Sequence, residues 1–209
     1  MACTAESVAD AVRAVAEVVS GHREELIRLD REIGDGDHGE NLARGFTAVV
    51  SKLDTDVPAS PGGVLRLVAT TLISTVGGAA GPLYGTAFLR AATSVGDAAV
   101  VDGTMAAEAL RAALEGVVAR GKAVVGDKTM VDALTPAVAA AESVAATGGG
   151  VAEVLEAAAD AAGMGADSTV PMVARKGRAS YLGERSAGHL DPGARSTALV
   201  LRTLAGRAR

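Results

Sequence analysis

Leu67 to Leu89 reads LVATTLISTVGGAAGPLYGTAFL and contains no charged residue. That length would let a single helix span a bilayer, so the reading of this stretch decides between a membrane protein and a helical globule. Gly77, Gly78, Gly81, Pro82 and Gly85 interrupt its middle, and Thr70, Thr71, Ser74 and Thr75 dilute its first half. The spacing therefore predicts a buried helix, a glycine-rich turn and a second buried helix starting near Pro82.

The same helical grammar continues on both sides. Apolar residues recur at helical spacing in Val8, Val12, Val15 and Val19, and again in Leu110, Leu114 and Val117. Ser60 before Pro61 is a helix start with a capping hydroxyl and proline in the first turn, and Asp102 to Thr104 offers another. Breaks near Gly21, Gly34 to Gly39, Pro58 to Gly63, Gly77 to Gly85, Gly96 to Gly103, Gly121 to Gly126, Gly148 to Gly150 and Gly163 to Gly165 divide the chain into about eight or nine helices. No hairpin pattern competes. Helices without a sheet must bury their apolar stripes against one another, so the expected fold is all-α, a bundle or helical barrel. The chain shows no repeat and no linker, and with 209 residues it is expected to form one domain, 1–209.

A formal net charge of -5, two Tyr, two Phe and no Trp leave neither a basic footprint nor stacking platforms, so nucleic-acid binding is not expected. One cysteine, Cys3, allows no disulfide framework and no cysteine zinc site. Glu6 and Asp10 stand where a signal peptide needs basic residues and an apolar run. A cytoplasmic protein that does not insert into membranes is expected.

Four stretches carry chemistry. In LDREIGDGDHGEN, Leu29 to Asn41, Asp30 closes a helix that begins near His22, and Gly34 with Gly36 lets the chain bend so that Asp35 and Asp37 face the same way. Three convergent carboxylates suit Mg²⁺. A solvated acidic turn is the competing reading, whereas an EF-hand fails because Glu40 and Phe46 occupy the positions of its glycine and bidentate acid. In VGGAAGPLYGT, Val76 to Thr86, a glycine turn runs into a helix, which is either an anion cradle or tight packing through small residues. GKAVVGDKTM, Gly121 to Met130, nearly forms a Walker A loop but has Asp127 where lysine is required, ahead of a helix start near Thr129.

The fourth is ARKGRASYLGERSAGHLDPGARS, from Ala174, with the basic group Arg175, Lys176, Arg178 and Arg185. Its poor apolar content predicts a segment that wanders over the surface or closes a site. Of the histidines, only His38, beside the aspartates and a helix start, is weighed as functional; His22 reads as an exposed helix residue and His189 as a polar loop group.

LDREIGDGDHGEN, GGAAGPLYG, GDKTMVDAL and ARKGRASYLGERSAGHLDPGA resemble, in the same order and across essentially the whole chain, the nucleotide-binding L subunits of bacterial dihydroxyacetone kinases. The resemblance implies a barrel of eight antiparallel helices with ADP or ATP as a tightly bound coenzyme and two Mg²⁺ ions at one end. It implies Asp30, Asp35 and Asp37 as metal ligands, His38, Gly39, Glu40 and Asn41 at the phosphates, and Ala79 with Ala80 as the phosphate turn. Gly121, Met130, Arg178, Asp191, Pro192 and Gly193 would line the rest of the pocket. Ala80 stands where the family commonly has serine, and Leu42 where methionine is frequent.

The implied activity is phosphoryl transfer to dihydroxyacetone held on a separate K subunit. A stand-alone L chain resembles the phosphotransferase-system type, in which an M subunit supplies the phosphoryl group. An ATP-dependent split kinase for this or another small ketose, and a nucleotide-switched partner of a transcription factor, stay open, as does a homodimer.

Overall fold

Helix starts follow the capping chemistry. In the computed structural model, which describes residues 3–208, Thr4, Ser60, Asp102, Thr129 and Asp191 each accept a backbone N–H with their side chains. The α-helices are α1 (Ala5–Gly21), α2 (Arg23–Ile33), α3 (His38–Leu53), α4 (Pro61–Thr75), α5 (Ala80–Val95), α6 (Gly103–Gly121), α7 (Met130–Ala146), α8 (Val151–Asp167) and α9 (Pro192–Arg207), with a 3-10 helix at Arg178–Ser186. The described residues hold no strand, only an isolated antiparallel bridge between Cys3 and Val101.

The Leu67 to Leu89 stretch folds as α4, a turn over 76–79, and α5, which starts at Ala80, two residues before the expected Pro82. No described helix is long and apolar enough to cross a membrane. The expected break at Gly163 to Gly165 does not occur, because α8 runs through both glycines. The reason is packing: a Cβ on Gly165 would lie 2.4 Å from the Asp132 carbonyl oxygen and 2.8 Å from Pro136 Cγ, so this glycine lets α7 and α8 touch backbone to backbone.

Successive helices from α3 to α9 pack side by side, α9 packs on α1, and α1 packs back on α3, which closes a ring of eight helices. α2 lies outside the ring against α3, α9 and the 3-10 helix. Val12, Val15, Val19, Leu42, Phe46, Val49, Val68 and Leu72 are buried in its main core, along with many alanines. Because those alanines fill little volume, an apolar cavity of about 190 Å³ persists among Tyr84, Phe88, Leu110, Leu134 and Leu201.

Candidate active site

An up-and-down ring places every second helix start at the same end. His38, Ala80, Met130 and Pro192, the first residues of α3, α5, α7 and α9, all line one cavity of about 310 Å³. Helix starts present unpaired N–H groups and partial positive charge; that of α5 has no side-chain cap, whereas the first N–H of α3 is taken by Asp30 Oδ2. An anion entering this cavity would meet donors that the fold leaves unused.

The acidic turn closes one side. Asp30 sits in the last turn of α2, where its Oδ2 accepts from the backbone N–H of Asp37 at 2.9 Å and of His38 at 3.1 Å. Its other oxygen, Oδ1, lies so close to Gly34 that a Cβ there would be 2.2 Å away. One carboxylate oxygen from each of Asp30, Asp35 and Asp37 lies within 4.8 Å of the others. Burial, then the Asp35 and Asp37 charges, push the Asp30 carboxyl above its ordinary range, against its two backbone hydrogen bonds. This set of hard oxygens with excess negative charge fits Mg²⁺. Arg178 Nε pairs with Asp35 at 2.9 Å and partly offsets that charge.

The turn at 76–79 forms the opposite side. Gly78 takes the left-handed φ of 63° that the bend requires, and Gly77 and Gly78 line the cavity with Ala79 and Ala80. Asn41 lies behind this turn, its amide held by an Arg44 guanidinium 2.6 Å from Oδ1.

A polar network ties the floor together. His38 Nε2 meets Ser196 Oγ at 2.9 Å, and Tyr84 Oη meets Ser196 Oγ at 2.7 Å and Thr197 Oγ1 at 3.1 Å. The His38 ring also meets the Pro192 carbonyl, and burial lowers its pKa to about 4, so the imidazole is neutral near pH 7. The Asp191 carboxyl is buried and pushed up to about 7 by desolvation, opposed by the Ala194 N–H and Lys128. Lys128 is 1% exposed, and its ammonium donates to the carbonyls of Thr169 and His189.

Of the residues singled out from the sequence, Asp30, Asp35, Asp37, His38, Ala79, Ala80, Gly121, Met130, Arg178, Asp191, Pro192 and Gly193 line this one cavity. Gly39 and Glu40 do not. Gly39 packs under the Arg23 carbonyl, and Glu40 pairs with Arg23 at 2.6 Å on the outer surface. Asn41 stays one layer back. The segment from Ala174 runs into the 3-10 helix, with Lys176 to Ala179 on the cavity wall; Arg175 and Arg185 are not among its lining.

Residues 32–206 match the DAK2 domain family. The chain belongs to that family. It is 46% identical over 189 residues to the ADP-binding subunit DhaL of the PEP-dependent dihydroxyacetone kinase of Escherichia coli (strain K12), covering 90% of each chain. It is 43% identical over 188 residues to the ADP-binding subunit DhaL of PEP-dependent dihydroxyacetone kinase 1 of Listeria innocua, covering 90% of this chain and 89% of that one. Its fold is similar, at a TM-score of 0.71 and 30% identity, to the dihydroxyacetone kinase of C. freundii crystallised in complex with AMP-PNP and Mg²⁺. That alignment covers 95% of this chain and 33% of the C. freundii chain, so the DAK2 domain spans a third of that larger protein.

Sequence reasoning did not find Lys128, Tyr84, Ser196 or Thr197. Lys128 sits inside a loop dismissed as a failed P-loop, and a lysine between Asp127 and Thr129 carries no local sign that it will be buried. Tyr84 and Ser196 are separated by 112 positions, and nothing in either segment announces the other.

Proposed function

We propose that this DAK2 domain is the nucleotide-binding subunit of a dihydroxyacetone kinase, passing a phosphoryl group to dihydroxyacetone held on a separate K subunit in the cytoplasm. The observation that carries this reading is the convergence of four helix starts and three aspartates on one cavity. Few ligands need both donors for an anion and hard oxygens for a cation, and a Mg²⁺-nucleotide polyphosphate is one. The names of the relatives point the same way.

In this reading Asp30, Asp35 and Asp37 hold two Mg²⁺ ions, which when bound supply charge neutralisation to phosphate oxygens. The N–H groups at the start of α5, with those of Gly77 to Ala80, receive the phosphates. Ala80 offers only its N–H there. Arg178 stands over the site and adds a positive charge, while Gly121, Met130 and the Asp191 to Gly193 segment form the remaining wall. His38 positions α3 against α9 rather than carrying a phosphoryl group, because its ring is buried and engaged by Ser196 and the Pro192 carbonyl. The acceptor is held on the partner chain, and the proton of its hydroxyl leaves through a base of that chain.

The PEP-dependent relatives favour an M-type phosphoryl donor over free ATP. The test is to denature the purified chain, analyse what is released, and then assay transfer to dihydroxyacetone with a K subunit and a phosphotransferase donor present. Bound ADP and divalent metal, transfer that needs the donor, and loss of both in Asp37→Asn with the fold intact are expected. A chain that neither carries nor takes up MgADP sinks the proposal.

A further inference from the structure

Between α8 and α9 the chain leaves the ring, crosses the mouth of the cavity as the 3-10 helix, and returns. Its outer part meets the body through the Arg175 N–H, which donates to the Asp127 carbonyl at 3.0 Å, through the Arg178–Asp35 pair, and through a small apolar cluster of Ala174, Ala179 and Leu182 on Ile33 of α2; the Ala174 N–H to Ser186 Oγ bond, 2.8 Å, ties the segment to itself. Ala174, Ala179 and Ser186 are buried, but the Arg178 side chain is 70% exposed and Tyr181 is 87% exposed, so the rest of the outer part faces solvent. The base is tied differently. Gly188 N–H donates to the Val170 carbonyl at 2.7 Å, and Asp191 N–H to Thr169 Oγ1 at 3.0 Å.

Through that base runs Lys128. Its ammonium donates at once to the carbonyl of Thr169, at 2.6 Å, and to that of His189, the two points where the excursion departs and returns. A lysine in the left-handed backbone region (φ 62°), 1% exposed, is a costly arrangement for mere packing. Burial pulls its pKa down while Asp191 and Asp132 hold it up. An ammonium spreads three donors around one point, which suits converging carbonyls that a planar guanidinium would not fit. Asp132 fixes the loop that presents it, accepting from Gly126 N–H at 2.6 Å and Thr129 N–H at 2.8 Å.

We propose that Lys128 is a positioning residue: its buried ammonium clamps both ends of the segment that covers the cavity, and so holds Arg178 and Asp191 to Gly193 where a nucleotide meets them. The mobility arm of this proposal stands on the clamp alone, and the nucleotide arm rests on the function proposed above. Removing the clamp leaves the ring packed and frees the base of the cover.

The experiment is hydrogen exchange on nucleotide-free Lys128→Met and wild type, paired with MgADP dissociation constants and release rates. Exposed Lys122→Met serves as control. Exchange at residues 170–190 should rise ten-fold or more while α3 to α6 keep their protection, and MgADP release should accelerate by at least ten-fold. If Lys128→Met does not fold, Lys128→Gln, which keeps a donor without the charge, should show the same regional pattern at smaller amplitude. Unchanged exchange over 170–190 overturns the clamp, and so does a rise spread evenly over the whole ring, which would make Lys128 a general support. Regional loosening with unchanged MgADP release overturns the positioning role. A wild type that binds no MgADP defeats the functional reading instead, and leaves the clamp to be decided by exchange.

Discussion

Asp191 caps α9 by accepting the Ala194 N–H at 2.7 Å while lying almost wholly out of water. Unfolded, a carboxyl of this kind ionises near 3.8; folded, burial raises it to about 7 even though the Ala194 N–H and Lys128 favour the charge. Between those values the folded chain keeps a proton that the unfolded chain has lost. Its contribution to stability is therefore neutral below about pH 4, falls as pH rises, and reaches its full cost above pH 7. Three pKa units correspond to about 4 kcal/mol at most. Asparagine caps as well as aspartate and carries no charge. Nucleotide-free Asp191→Asn should match wild type at pH 4 and gain on it steadily towards pH 7.5 in urea denaturation. A difference that does not change across that window refutes the buried-acid account. At this scale the sequence marked Asp30, Asp35 and Asp37 plainly, because crowded like charges need a reason. It marked nothing at Lys128 or Ser196, whose importance arises from partners far along the chain.

Helices in this protein were readable at their starts and less so along their length. Ser60, Asp102 and Thr129 announce α4, α6 and α7 because capping is local chemistry. Gly163 and Gly165 look alike as breakers, yet both lie inside α8. Their surroundings differ: a Cβ on Gly165 would strike α7 backbone, and one on Gly163 would find nothing within 4 Å. Gly163→Ala should therefore stabilise the protein by about 0.5–1 kcal/mol through helix propensity. Gly165→Ala should destabilise it by about 1–3 kcal/mol through overpacking. Thermal unfolding of the two variants checks the pair, and equal shifts would show that α7 and α8 do not approach as closely as described.

The whole ring depends on closure, since α1 meets both α9 and α3 and so joins the two ends of the chain. Closure sets the four helix starts of the cavity side by side, so a ligand bound there links elements from the first half of the chain to the last. Such a ligand stabilises the folded state by about 2.7 kcal/mol at a hundred times its Kd. MgADP should raise the unfolding temperature in a concentration-dependent way, whereas ADP in excess chelator should do far less because the three aspartates then face the phosphates without a cation. An equal rise under both conditions would remove the metal from the account.

Composition, apolar period and caps determined by themselves that this chain is all-helical and where most helices begin, and they marked the acidic turn, the glycine turn and the late polar segment as the candidate site, because each of these is written within a few residues. The four motifs also sufficed for the family resemblance. Only the tertiary structure decided that α2 stands outside the ring, that Glu40 pairs outward with Arg23 while Asn41 stands behind the turn, that α8 passes through its glycines, and that the Lys128 ammonium meets the carbonyls of both Thr169 and His189. Those outcomes depend on which surfaces meet after folding, and contacts between residues a hundred or more positions apart leave no local pattern in a single sequence.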